Sequence, residues 1–367
     1  HDVLQQQGKI EEPWRPGGTE RCFWVLTQDW VYATRFAAPE RSARERWLRF
    51  QGLKARTDVY LNGERIAVHS DAEVPLGIDV SGRLRADNTL VVHCHTGKLP
   101  GRTGAVEDGR RKPMGSYLGP NPAVASLGIF GAVFLETSDG HRLEEVVTGV
   151  TVDEALAEGA VTVAASGVSR AAAVALRVRL FDPEGKLAGE ATLPATVTGG
   201  RFEARATVRV KPPRLWWPRG YGDQPLYRAE IALLVDGWPQ QAERRTIGFR
   251  RLTMPEPLHF FVNGVRVFIR GGDWVTPNLL SDVWDHARHE RLFALAENAN
   301  FNGFRLWASV AAPPDVFYEM ADARGFLLWQ DFPRLPLGPD ERSKEICCAK
   351  AARLIDRVKH HASVLSW

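Results

Sequence analysis

The sequence predicts a multidomain chain of mixed class, with two β-sandwiches followed by a run of parallel βα units. Three observations carry this expectation. From residue 20 to about 252 the chain is a succession of short β-rich runs punctuated by Gly, Pro and Asn, with no helical stripe between them. From about 253 strand patterns alternate with amphipathic helical ones, which is how a parallel sheet reads. The strand patterns of this last part end in polar and aromatic residues, where a βα barrel collects its chemistry.

The first β segment, residues 1–137, carries strand patterns at 46–50, 58–61, 89–93 and 132–135. Asn62-Gly63 sits directly between the apolar run ending at Leu61 and the next at 66–68, and Asn-Gly in that place predicts a tight hairpin. Residues 96–122 are rich in Gly, Pro and Arg and lack periodicity, so a long loop is expected there. Many short strands without intervening helices predict a sandwich or jelly roll. The second segment, residues 138–252, shows period-two alternation at 174–180 and 202–210. Its length and pattern fit an immunoglobulin-like sandwich, although the Cys…Trp…Cys core of antibody domains is absent.

The third segment, residues 253–367, opens with a strand pattern at 267–274. A helix over 291–300 is predicted from Leu292, Leu295, Ala296 and Ala299, which fall on one face. A strand at 303–307 follows, then a helix over 315–324 closed by Gly325 as C-cap, and a strand at 326–332. Cys347, Ala351, Leu354 and Val358 mark a third helix, and 363–367 a fourth strand. Four strands fit this length, whereas an eight-stranded barrel takes ~250 residues, so the expectation is the first half of a (β/α)8 TIM barrel.

Composition narrows the function classes. The 367 residues are 44% hydrophobic and 25% charged, ordinary for a globular protein. The formal charge is only +3 and no basic run is interleaved with aromatics, so no nucleic-acid partner is expected. No apolar stretch approaches the ~20 residues of a membrane span, so no membrane partner is expected either. Twelve Trp suit a protein that stacks flat faces on sugar rings, beside their ordinary use in cores. Cys22, Cys94, Cys347 and Cys348 lack metal-ligand spacing and are expected to be reduced. His93 and His95 flank Cys94 and would share one strand face. No third ligand lies near them in sequence, so an exposed strand face is expected, with no metal and no cofactor. The chain opens at His1 without Met or signal peptide, and a cytoplasmic location is the working expectation. Oligomeric state is not legible.

Several motifs together resemble glycoside hydrolase family 2. Asp29-Trp-Val-Tyr32, Phe50-Gln-Gly-Leu53, Asp58-Val-Tyr-Leu-Asn-Gly63 and Gly128-Ile-Phe-Gly-Ala-Val-Phe-Leu135 are similar to that family's sugar-binding jelly roll. Leu215-Trp-Trp-Pro-Arg-Gly-Tyr-Gly222, Gln224-Pro-Leu-Tyr227 and Ile247-Gly-Phe-Arg250 resemble its immunoglobulin-like domain, and Phe261-Val-Asn-Gly264 with Ile269-Arg-Gly271 the start of its barrel. Asn302-Gly-Phe-Arg305 resembles the core of the family signature. Leu306-Trp307 after that Arg, and later Trp329-Gln-Asp-Phe332, are similar to the β-mannosidase branch. The glycines usual after Trp307 are replaced by Ala308, Ser309 and Val310.

The resemblance implies an O-glycosyl hydrolase: a retaining enzyme that releases terminal β-D-mannose from oligosaccharides or glycoconjugates. It also implies that the acid/base and nucleophile Glu lie beyond Trp367, so that this chain is an inactive fragment of a longer enzyme. At the strand ends, Asp273 and Trp274, Arg305, Trp307 and Asp331 are the expected contacts to the substrate sugar. Arg305 would orient carboxylates, Trp307 is a sugar platform or a barrel-top plug, and Asn278 and Trp284 are secondary candidates. Bland roles compete at each position: a surface ion pair for Arg305, a cap or core role for Asp273 and Trp274, and a backbone-bonded carboxylate for Asp331. Another family 2 exo-glycosidase acting on β-galactoside, β-glucuronide or β-glucosaminide, or a non-catalytic carbohydrate-binding protein, is the alternative.

Overall fold

The computed structural model describes residues 2–12, 15–22, 24–25, 28–39, 43–54, 56–72, 74–95, 128–275, 277, 283–307, 312–332 and 341–367. Two compact units emerge, one built mainly on His1–Asp139, the other on Gly140–Val275, Ala287–Ala308 and Ala312–Trp367.

In the first unit, strands Trp30–Ala37, Asp87–Cys94, Thr57–Leu61 and Glu64–His69 lie side by side in that order, all antiparallel. A second sheet has Glu45–Phe50 between Leu76–Asp79 and Val133–Ser138. Side chains alternate across each strand. In Asp87–Cys94, residues Asn88, Leu90, Val92 and Cys94 are buried while Thr89, Val91 and His93 face away. Leu48, Phe50, Val59, Leu61, Leu90 and Val92 form the core. The expected hairpin is present: Asn62 and Gly63 both have positive φ, 54° and 87°, as a two-residue turn between twisted strands requires. The loop expected at 96–122 lies outside the described residues.

The second unit begins with a seven-stranded antiparallel sandwich. One sheet orders His141–Val152, Gly159–Ser169 and Arg201–Val210; the other orders Leu187–Thr196, Ala173–Phe181, Tyr227–Val235 and Trp238–Ile247. Alternating Val174, Leu176, Val178 and Leu180 meet Val161, Val163, Ile231 and Leu233 in its core.

Four parallel strands follow, paired consecutively: β1 (Gly271–Trp274), β2 (Gly303–Leu306), β3 (Leu327–Gln330) and β4 (Val364–Ser366). Helices α1 (His286–Asn298), α2 (Asp315–Arg324) and α3 (Glu341–Val358) connect them. Gly325 ends α2 with φ 74° and bonds its N–H to Ala321 O, as its position predicts.

Two details differ from the expectation. The first strand is shorter than 267–274, because Asn263-Gly264 makes another tight turn (φ 51° and 80°) that pairs Val265–Arg266 back onto Phe261–Val262. The buried Asn302 side chain then takes the next backbone groups, accepting from Arg270 N at 2.7 Å and donating to Phe268 O at 2.9 Å. The inward face of α1 is also rotated, with His289, Phe293 and Ala296 buried while Leu295 is 63% exposed. An aromatic cluster accounts for it: Phe293 packs edge-on against Phe304, Phe317 and Phe326, centroids 5.1–5.5 Å apart.

A segment between two sandwich strands enters the core of the βα units and joins the two. Trp216, fully buried, packs with Phe260, Val262, Val267, Leu327, Ala362 and Leu365 under the parallel sheet, and its Nε1 donates to Asp322 O at 2.8 Å. Arg250 donates to Ala362 O at 2.5 Å and to Val364 O, just before and within β4. Burial pushes its guanidinium pKa down to about 10.

Candidate functional site

The chemistry gathers at the C-terminal ends of the parallel strands. Pairing aligns Gly271, Gly303 and Leu327, then Gly272 with Phe304 and Leu328, then Asp273 with Arg305 and Trp329, and last Trp274 with Leu306 and Gln330. Residues in the same register of a parallel sheet point to the same face, and neighbours along a strand point to opposite faces. Asp273, Arg305 and Trp329 therefore share one face. Trp274, Leu306 and Gln330 share the other, which is covered by helices.

This register depends on close backbone approach. A Cβ placed on Gly271 would stand 1.8 Å from Gly303 O, so only glycine fits there.

On the open face Arg305 is held by two carboxylates. Its Nε and Nη2 donate to the two oxygens of Asp331 at 3.2 and 2.8 Å, a bidentate fork, and its Nη1 lies 3.6 Å from Asp273 Oδ1. The Asp331 side chain is only 14% exposed, whereas Arg305 and Asp273 are about half exposed, at 45% and 54%. Hydrogen bonding to Asp331 raises the Arg305 pKa most, with the charges of Asp331 and Asp273 adding to it against a smaller burial effect. The arrangement presents acceptor oxygens, a fixed cation and the half-buried ring of Trp329 to solvent on one surface. Such a surface can bind hydroxyl groups and stack an apolar ring face.

Asp273, Arg305 and Asp331 are thus brought together as the sequence suggested. Trp307 is half-buried just past β2, its backbone N–H bonded to Trp274 O at 3.2 Å. Trp274 goes elsewhere. It is 9% exposed and packs among His289, Phe293, Phe304 and Phe317, centroids 5.0–5.9 Å away, so its ring is core and not a sugar contact. Gln330, also on the covered face, accepts from Tyr318 Oη at 2.5 Å. Asn278 lies outside the described residues, and Trp284 packs beside His286, centroids 6.3 Å apart.

Two further features were not among the residues expected to contact the sugar. Trp329 has the register of Asp273 and Arg305, and its two-residue spacing from Asp331 was the available signal. Phe332 and Trp367, each just past a strand end, stack at 5.9 Å and 10°. The expectation for His93 and His95 also changes: strand pairing supplies a third potential ligand, Asp29, from a neighbouring strand.

Family models match two stretches, residues 1–119 as "Glycosyl hydrolase 2 galactose-binding domain-like" and residues 141–250 as "Glycosyl hydrolases family 2". Similar curated proteins include β-mannosidase B of Thermothelomyces thermophilus, 27% identical over 100% of this chain and 46% of its own length. The β-mannosidase of Mus musculus is 23% identical with the same coverage of both chains. The chain therefore spans about half the length of the curated relatives it matches. Among solved structures, a β-D-mannosidase from Dictyoglomus thermophilum superposes with TM-score 0.84 at 24% identity, covering 98% of this chain and 48% of that one. An exo-chitosanase from Amycolatopsis orientalis superposes at 0.78 and 22%, covering 98% and 43%. At these identities the superpositions speak for the fold alone. The motifs, the two family models and relatives aligned along the whole sequence agree: this chain belongs to glycoside hydrolase family 2 and resembles β-mannosidases.

Proposed function

We propose that the intact protein is a retaining exo-glycosidase that releases terminal β-D-mannose, and that the face bearing Asp273, Arg305, Trp329 and Asp331 forms part of its −1 sugar site. In this reading residues 1–137 are the jelly roll, 138–252 the immunoglobulin-like domain, and 253–367 the first four strands of the (β/α)8 barrel. The observation that carries the proposal is the Arg305–Asp331 fork with Asp273 beside it, at the ends of adjacent parallel strands where barrel enzymes place their chemistry.

Each group has a role. Asp331 and Asp273, beside Arg305, accept hydrogen bonds from sugar hydroxyls; bonds to charged groups are worth about 1.5–3 kcal/mol each. Arg305 fixes Asp331 through two bonds, so the carboxylate is already oriented when the sugar arrives. Trp329 and Trp307 offer apolar rings to the pyranose faces.

The two aspartates are not assigned the covalent chemistry. Retaining hydrolysis needs a carboxylic acid to protonate the leaving oxygen and a carboxylate to attack the anomeric carbon, the two ~5–5.5 Å apart. Asp331 is committed to Arg305, which suits binding better than attack. The reacting pair in this proposal is a Glu just past the fourth strand and a second Glu after the seventh strand of the intact protein.

Hydrolysis of nitrophenyl glycosides by the full-length protein is the test. Turnover of the β-D-mannoside above the β-galactoside, β-glucuronide and β-glucosaminide supports the assignment. A preference for the β-glucosaminide or β-galactoside moves it to another exo-glycosidase. Binding without turnover of any of them leaves a carbohydrate-binding protein.

A further inference from the structure

The outer face of the first unit's four-stranded sheet carries a cluster that glycoside hydrolysis does not use. His93 lies on the face of Asp87–Cys94 opposite the core, and His95 follows one residue past the strand's end. The neighbouring strand pairs Trp30 with Cys94, which brings Asp29 alongside His95. The strand on the other side pairs Asp58 with His93. Three adjacent strands thus contribute two imidazoles and two carboxylates to one spot.

The distances join His93 and Asp29 in a hydrogen bond and also suit a metal ion. His93 Nε2 and His95 Nδ1 lie 2.9 and 3.4 Å from the same oxygen, Asp29 Oδ2, and one donor atom from each residue falls within 4.8 Å of the others. Zinc bonds of about 2.0–2.1 Å in a tetrahedron set its donors roughly 3.3 Å apart, so small side-chain adjustments complete the polygon. The imidazole rings tilt against each other with centroids 4.0 Å apart.

Asp58 is the second, independent observation. Its side chain is 6% exposed, its Oδ2 lies 3.2 Å from His95 Nε2, and its Oδ1 has no hydrogen-bond partner among the described residues. His95 Nε2 is likewise buried and not aligned for a hydrogen bond. Buried polar atoms left unsatisfied ask for an explanation such as an ion. A metal-bound histidine turns its other ring nitrogen to a carboxylate, which fixes its tautomer and raises its basicity. With Nδ1 on a metal, a small rotation of His95 gives Nε2–H to Asp58 and satisfies both groups. Arg65 stands 3.7 Å from Asp58 and contributes charge without filling that place.

We propose that Asp29, His93 and His95 bind one Zn2+ ion, with Asp58 as the carboxylate behind His95 and a fourth position open to water. The ion would tie the strands of Trp30–Ala37 and Asp87–Cys94 together on the outer face of the sheet. Its role is structural and separate from sugar hydrolysis.

Equilibrium dialysis of the 367-residue chain against Zn2+, with metal content read by elemental analysis, tests this. Optical spectra of the Co2+ form report the geometry. One equivalent is expected, with a tetrahedral Co2+ spectrum and a Zn2+-dependent rise in the melting temperature. His93→Gln and His95→Gln should each abolish the stoichiometric site, and Asp58→Asn should weaken it about 10–100-fold. His259→Gln, bonded only to Glu256 among the described residues, should leave it unchanged. Circular dichroism checks that the variants fold. Less than half an equivalent in the wild-type chain, or one equivalent retained by both folded His variants, overturns the proposal.

Discussion

Replacing Trp216 should loosen the joint between the sandwich and the parallel sheet more than any other single truncation there. Its side chain is fully buried beneath the parallel strands, in contact with residues that precede β1, begin β3 and flank β4. Trp216→Ala removes a ring from a packed site, and Phe or Trp to Ala in a core costs about 3–5 kcal/mol. It also leaves Asp322 O without the indole donor, a penalty of about 1–3 kcal/mol that overlaps with the first. Trp216→Phe retains most of the volume and should cost nearer the hydrogen bond alone, about 1–3 kcal/mol. Denaturant melts need a local probe, because a chain of two units does not guarantee one two-state transition. Hydrogen exchange read on peptides from Leu327–Gln330 and Val364–Ser366 supplies it. Protection there should fall in Trp216→Ala, less in Trp216→Phe, and stay unchanged in Trp30–Ala37. A loss below about 1 kcal/mol for Trp216→Ala falls under the range for a buried ring and would mean that Trp216 does not hold the joint.

Gly271→Ala should misalign β1 against β2, because its Cβ meets Gly303 O; a melting temperature within a degree or two of wild type would contradict this. Burial, then the charges of His361 and Arg245, lowers the His360 pKa to about 2, so this side chain stays neutral when folded and takes up a proton on unfolding below about pH 6.5. The unfolded state then binds more protons, so its contribution is fully present above pH 6.5 and falls by up to about 1.4 kcal/mol per pH unit below it. His360→Gln should flatten that limb in denaturant melts between pH 7 and 4, and an unchanged slope would count against it. If the full-length protein hydrolyses the proposed mannoside, Arg305→Lys keeps the charge but loses the fork on Asp331, and should lower kcat/KM by about tenfold or more. Trp274→Phe, a core change, should reduce stability with kcat/KM within about threefold, the opposite split.

Much of the fold was legible because local physics and tertiary context agree. The period-two runs became strands, Asn62-Gly63 became a hairpin turn, and Asp315–Arg324 ended at Gly325 as its residues predict. Asn263-Gly264 carried the same hairpin signal as Asn62-Gly63 but was not read as a turn, and the strand expected at 267–274 begins only at Gly271. The face of α1 was misread because Leu295 looked like core, whereas Phe293 had the aromatic partners.

At the site, Asp273 and Trp274 are neighbours on a pleated strand and could not both enter one pocket; alternation alone excluded the pair. Which of the two faces inward was set by inter-strand register, which no single strand encodes. The same limit hid Asp29 from His93 and His95, since antiparallel pairing joins positions more than sixty residues apart. Trp329, two residues before Asp331, was the site residue that parity could have recovered.

The Asp273–Arg305–Asp331 face is proposed to hold the terminal sugar. A crystal structure of the full-length protein with a mannose-configured inhibitor tests it most directly. Sugar hydroxyls are expected within hydrogen-bond distance of Asp331 and Asp273, with the Arg305 fork intact and Trp274 still in the core. A sugar bound away from these strand ends, with the Arg305–Asp331 pair facing only water, would contradict it.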